Sequence, residues 1–398
     1  MSLWKRNCIF AVSNLQGFFM VSLHQLYSMG VLFAPIFTCF AILLILSIDS
    51  WKCSRDEWRV KSKVLMYFVC SFLNWGSLVF YFFYPPVFVY LNWFIFLTFL
   101  LVQVYFYAFI FKLTRVNFNE RFSYYHYLLP ALFSLALLLV SLATPFEGQL
   151  QVVMAQGACT NPAYRLFFMV SNSKILVRIG FSMVYVIMAF YRLHRYRKFI
   201  TDYSANDEKT GLTWLTIYLL WSVGLTSLLI IGFFFGNRAF IITSPMMVVY
   251  NALFIFQYGY LSYYILKGQY IPLSEEKEYD EPLIESVETE TVLKKSLLSR
   301  ERFDDYIQTK KPYLNCDLKI TDLVDDLGVN RSYISAFINT EYQMNFNHFI
   351  NQCRLNEYKR IKDDPAHSQT GRKELAELAG FSSYKSLNRF STKCSINN

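Results

Sequence analysis

The sequence predicts an all-α protein in two parts: a polytopic transmembrane helix bundle of about seven spans, then a small soluble helical domain. Three observations predict this. Hydrophobic residues make up 54% and aromatic residues 19% of the 398-residue chain, too much for an ordinary soluble protein. Several long stretches before residue 266 carry no charged side chain, whereas residues 267–398 are studded with them, so the composition breaks near Lys267. Beyond residue 299, apolar residues return at helical spacing in short, capped segments. The expected parts are 1–266, an acidic connection at 267–298, and 299–398.

A spanning helix needs about 20 apolar residues, because hydrocarbon offers the backbone no water to bond. The segments that qualify are 31–48, 64–84, 87–111, 127–143, 175–191, 212–236 and 239–266. The second, third, sixth and seventh are free of formal charge, the fourth is short, and the fifth contains Arg178. Residues 9–26 are weakly apolar and fit either an outer-surface segment or an eighth span. Lys and Arg crowd alternate loops: Lys52, Arg55, Arg59, Lys61 and Lys63, then Lys112, Arg115 and Arg121, then Arg192, Arg195, Arg197, Lys198 and Lys209. The intervening loops hold only Arg165, Lys174 and Arg238. That alternation places the C-terminal part on the cytoplasmic side of a cell inner membrane, while the spans contact the lipid bilayer.

Polar residues at membrane depth are Asn74, Asn92, Gln103, Asn251, Gln257 and Arg178. The amides are expected to join helices. Arg178, four residues after Lys174, fits an anion-binding pocket or a snorkelled anchor equally well. The eight cysteines form no CxxC pair, which argues against a disulfide framework or a zinc site; Cys8 and Cys159 could meet outside the membrane. The five histidines are isolated, and neither HExxH nor GxSxG occurs. No catalytic set, no metal site and no cofactor is expected. A membrane enzyme is therefore disfavoured, and the absence of an internal repeat before residue 266 argues against a transporter.

From 275 to 290 the connection holds eight acidic residues and one Lys, a composition that stays solvated and that an anionic leaflet repels. A helix at 300–310 follows, with Phe303 and Ile307 inward and Pro312 beyond its end. Ile320, Leu323, Val324 and Leu327 recur at i, i+3, i+4 and i+7, with Thr321 as the expected N-cap and Gly328 as the turn. The next helix, about 330–342, puts Ile334, Phe337, Ile338 and Tyr342 on one side and Arg331, Ser332, Ser335 and Asn339 on the other. Two short helices joined at a glycine, the second with a small-polar and basic outer face, form a helix-turn-helix pattern. Small residues let such a helix sit deep in a major groove. A longer helix, 346–364, is stopped by Pro365, and the pattern then repeats. Leu375, Ala376 and Ala379 face in and Gly380 turns. Residues 383–394 present Ser383, Tyr384, Lys385, Asn388 and Arg389. Two reading heads on one stiff spacer could enter major grooves about one turn of DNA apart.

The run "KKPYLNCDLKITDLVDDLGVNRSYISAFIN", the bridging "NFNHFINQCRLNEYKRI" and the closing "RKELAELAGFSSYKSLNRF" resemble the DNA-binding domain of the arabinose-regulator (AraC/XylS) family of bacterial transcription factors. The resemblance covers about the last 100 residues. It implies a seven-helix, double helix-turn-helix fold that binds promoter DNA in a membrane-tethered form. By position it assigns Arg331, Ser332, Tyr333, Ser335 and Asn339, and then Ser383, Tyr384, Lys385, Asn388 and Arg389, to the DNA-binding surfaces. Arg372 stands where the family has an apolar residue, and Leu387 and Ser391 replace two phenylalanines. These departures predict a second unit that is loosely packed or that supplies only phosphate contacts. With 15 Lys/Arg against 13 Asp/Glu, residues 299–398 carry a net +2, so tight nonspecific binding is not expected. The expected partners are double-stranded promoter DNA, the bilayer, a second copy as homodimer, and a small-molecule or membrane signal. The rival expectation is a multi-span receptor or transporter-like protein whose tail is a degenerate protein-interaction module.

Overall fold

A computed structural model describes residues 23–115, 120–154, 161–206, 211–235, 245–270 and 298–396. Residues 9–22 of the uncertain N-terminal segment, residues 271–297 of the acidic connection, and Cys8 and Cys159 lie outside the described residues. The described residues are helical, with one isolated β-bridge and no strand.

Among the described residues, eight helices make up the first part: α1 (Leu23–Ser50), α2 (Arg55–Phe83), α3 (Pro85–Leu113), α4 (Tyr125–Leu142), α5 (Phe146–Met154), α6 (Arg165–Ile200), α7 (Thr213–Phe235) and α8 (Pro245–Leu266). Five stretches among the described residues are long and apolar enough to cross a membrane: Phe33–Ser50, Glu57–Phe83, Pro85–Leu113, Tyr125–Leu142 and Pro162–Ile200. Helices α7 and α8 lie within the two remaining expected segments, 212–236 and 239–266. Helix α2 begins where the Ser54 hydroxyl accepts from the Glu57 N–H. It ends at Tyr84, because the two prolines that follow cannot continue its hydrogen-bond ladder. Helix α3 buries more of its length than the other four candidates, with Leu100, Val104, Phe109 and Ile110 sealed.

Phe37, Ile48, Tyr90, Leu142, Ile187 and Phe256 all face outward. An apolar exterior of that extent suits lipid rather than water. Inside, the Tyr67 and Tyr218 hydroxyls bond at 2.9 Å, and Trp75 Nε1 donates to the Tyr258 hydroxyl at 3.1 Å. Of the membrane-depth amides, Gln103 donates to Ser182 and Gln257 to Ser222, joining α3 to α6 and α8 to α7. Asn74 instead bonds the Cys70 carbonyl of its own helix.

The chain divides into two compact units, and the division does not follow the composition break alone. The second unit joins residues 268–398 to 113–120 and 191–213. Its helices are α9 (Arg300–Lys310), α10 (Ile320–Leu327), α11 (Arg331–Tyr342), α12 (Phe346–Lys362), α13 (Arg372–Leu378) and α14 (Tyr384–Ile396). Phe303, Ile307, Ile320, Leu323, Ile334, Ile338, Phe346 and Ile350 are buried, as helical spacing predicts. Phe303 meets the rings of Phe337, Tyr342 and Phe349, which holds α9 to α11 and α12.

Two local expectations are corrected. Lys319, not Thr321, caps α10: its backbone N–H is taken by the Asp322 carboxylate at 2.9 Å, which leaves Thr321 inside the first turn. Helix α12 closes at Lys362 rather than at residue 364, because Asp363 is already the cap and Asp364 caps the following 3-10 turn at Pro365.

Candidate nucleic-acid interface

The site is built from two short helix pairs. In the first, α10 turns at Gly328, where φ is 69°, a conformation that costs glycine nothing. Asn330 then caps α11 by accepting from the Tyr333 N–H at 2.8 Å. In the second, α13 turns at Gly380, where φ is 90° and a Cβ would strike the Tyr313 carbonyl oxygen. The Ser383 hydroxyl accepts from the Ser386 N–H at 3.2 Å and so starts α14.

Between the pairs lies α12, 17 residues or about 26 Å long. Its buried face is partly polar. Arg354 is only 1% exposed. Its Nε donates to the Tyr313 carbonyl at 2.8 Å, its Nη2 to the Asn315 carbonyl at 2.7 Å, and its Nη1 to the Ala205 carbonyl at 2.8 Å and to Asn351 Oδ1 at 3.0 Å. Nearby, Glu357 is bonded by Arg360 and Lys311, and the Arg360 hydrogen bond above all holds its carboxyl below the usual carboxylate range.

The expected contact residues have different fates. On α11, Ser332 and Asn339 are exposed, while Arg331, Tyr333 and Ser335 are half-buried. On α14, Lys385, Asn388 and Arg389 are exposed at i, i+3 and i+4, one continuous outward face. Tyr384 packs against the core cluster instead, and Ser383 is engaged as the helix cap. The expectation of a loosely packed second pair does not hold. Leu387 and Phe390 are buried with Leu355, Ile361, Leu375, Ala376, Ala379 and Phe381. Leu387, three positions before Phe390, fills space in that cluster, so the apolar volume needed is still supplied.

One partner of this surface comes from far away in sequence. Residues 199–206, expected only as part of a basic loop, form a strap on the helical unit. The Ala205 N–H donates to the Leu318 carbonyl at 3.1 Å, the Ile320 N–H to the Tyr203 carbonyl at 2.9 Å, and the Asn347 N–H to the Thr201 carbonyl at 3.1 Å. Asn206 adds a bond to Asp317 at 2.7 Å, and Asn347 Nδ2 reaches the Ser204 carbonyl at 3.0 Å. Tyr203, Ser204 and Ala205 are sealed. The Arg331 guanidinium lies 4.6 Å from the Phe199 ring centroid, within electrostatic reach of Asp202. Burial pushes the Asp202 carboxyl upward, and Arg331 partly offsets that push.

Among the described residues, no group of three His, Cys, Asp or Glu side chains could hold a metal ion. Cys39, Cys53, Cys70, Cys316, Cys353 and Cys394 are free thiols. No family model, curated protein or solved structure matches the chain.

Proposed function

We propose that the protein is a membrane-anchored transcriptional regulator, related in its tail to the AraC/XylS regulators, that binds promoter DNA through α11 and α14. One observation carries this reading. Two short helix pairs, each turning at a left-handed glycine, expose Ser332 and Asn339 on one helix and Lys385, Asn388 and Arg389 on the other, with α12 as the single rigid spacer. Short polar side chains read base edges, and the cations neutralise phosphates. In this reading α7 and α8 complete seven spans, and the alternating basic loops put the tail in the cytoplasm of a bacterial cell. The membrane unit then carries the signal, and dimerisation through the spans raises DNA affinity by effective concentration.

The intact protein in phosphatidylcholine nanodiscs, offered a pool of random duplexes at low salt, should enrich a restricted set of sequences. Arg389→Ala should weaken binding to the enriched duplex by about 1–3 kcal/mol. No enrichment at any salt concentration would overturn the assignment. A receptor or transporter-like protein with a protein-interaction tail is the second reading. It is favoured by the Arg331 contact, since the first residue of α11 already engages a segment of protein.

A further inference from the structure

We propose that the membrane unit binds a small anion, bearing a carboxylate or a phosphate, at Arg178 in the seam between α3 and α6. Arg178 sits well inside a span, and its guanidinium lies 4.4 Å from the Phe99 ring centroid on α3. Its Nη1 is buried and has no hydrogen-bond partner among the described residues. The hydroxyls of Tyr67, Tyr250 and Tyr258 are within electrostatic reach. Two of them are already engaged, Tyr67 with Tyr218 and Tyr258 with Trp75.

One turn earlier on α6, Lys174 Nζ donates to Asn92 Oδ1 at 2.6 Å. Asn92 is itself 1% exposed, and its Nδ2 has no hydrogen-bond partner among the described residues. Lys174 also lies 5.8 Å from the Phe88 ring centroid, so the two cations face α3 at successive levels. The seam therefore collects donors: a guanidinium, an ammonium and a carboxamide N–H.

No acid stands among the electrostatic partners of Arg178. No Asp or Glu occurs at 58–119, 121–146, 148–201 or 211–266, which takes in the whole apolar length of α3, α4, α6, α7 and α8. An arginine cannot shed its proton to escape an apolar site, so a buried guanidinium needs a negative partner. A snorkelled anchor would carry both terminal nitrogens to the surface, and here one of them is buried against aromatic rings. The aromatic neighbours lower the local polarity and strengthen a charge-assisted bond, so a planar carboxylate or a phosphate matches the fork.

The proposal rests on the membrane reading but not on DNA binding, so it is tested without DNA. The intact chain in phosphatidylcholine nanodiscs would be melted with inorganic phosphate, acetate or benzoate, each against chloride at equal ionic strength. At least one probe should raise the Tm of the wild type above the chloride control. Arg178→Gln should abolish that increment, and Asn92→Ala should shrink it. Arg178→Lys, which keeps the charge and loses the fork, should bind at least tenfold more weakly, and it carries the test if Arg178→Gln does not fold. A parallel series in phosphatidylglycerol nanodiscs separates the sources: an Arg178-dependent gain there alone identifies a lipid headgroup as the anion. If no free anion and no anionic lipid distinguishes wild type from the Arg178 variants, the site is refuted. Equal increments in all variants reduce the effect to screening and refute it as well.

Discussion

Replacing Arg354 with alanine should cost the helical unit about 4 kcal/mol. The side chain is 1% exposed and satisfies the main-chain carbonyls of Tyr313, Ala205 and Asn315 at 2.7–2.8 Å, besides Asn351. Each buried carbonyl left without a donor costs about 1–3 kcal/mol. Three such losses, reduced because the vacated volume admits water, give a value near 4 kcal/mol, a large part of the 5–15 kcal/mol that holds a typical domain together. The readout is hydrogen exchange at the Ala205, Ile320 and Asn347 amides, which pair the strap with the tail. Their protection should fall about 10³-fold, since each 1.4 kcal/mol is a factor of ten. Arg354→Lys retains one donor site and should lose about half as much. A change of less than tenfold at all three amides would show that Arg354 does not hold the strap.

Gly380→Ala should destabilise the second helix pair by about 3 kcal/mol, because φ is 90° and the new Cβ would meet the Tyr313 carbonyl oxygen; thermal unfolding reads this directly. Phe199→Ala removes a cation–π contact of about 1 kcal/mol from Arg331 and should raise DNA affinity roughly fivefold, measured by anisotropy on the enriched duplex. Unchanged or weaker binding would mean that the strap does not compete with DNA. The Glu357 carboxyl is held low, first by Arg360, so its folded-state affinity for a proton is below that of the unfolded chain. Its stabilisation is complete above the ordinary carboxylate range and disappears as pH falls through and below it. Glu357→Gln should flatten that acid limb in a series of melts from pH 7 to pH 3.

Much of the fold is legible in the residues. The charge-free runs 64–84 and 87–111 fall in α2 and α3, both long and apolar enough to cross a membrane. The spacing of Ile320, Leu323, Val324 and Leu327 marks α10, and Gly328 and Gly380 mark the two turns. These signals are local: run length and periodicity depend only on neighbours in the chain. The cap of α10 is not legible for the same reason, since Thr321 and Lys319 compete within one turn and the Asp322 carboxylate settles the contest.

The strap had no comparable signal. Its attachment is mostly main-chain hydrogen bonding, and every residue but proline carries the same N–H and C=O, so side-chain identity at 201–205 does not announce it. Arg354 and Asn351 lie within the bridging motif, yet their burial is intelligible only once the Ala205 carbonyl stands beside them, about 150 residues away in sequence. Arg331 and Ser383 show the same limit, one turned to Phe199 and the other spent on a cap. Composition and periodicity thus specify which segments are helical and which faces are apolar, because those follow from short-range geometry and from burial itself. Which polar groups remain available for a ligand depends on partners brought together by the folded chain, and that information is not local.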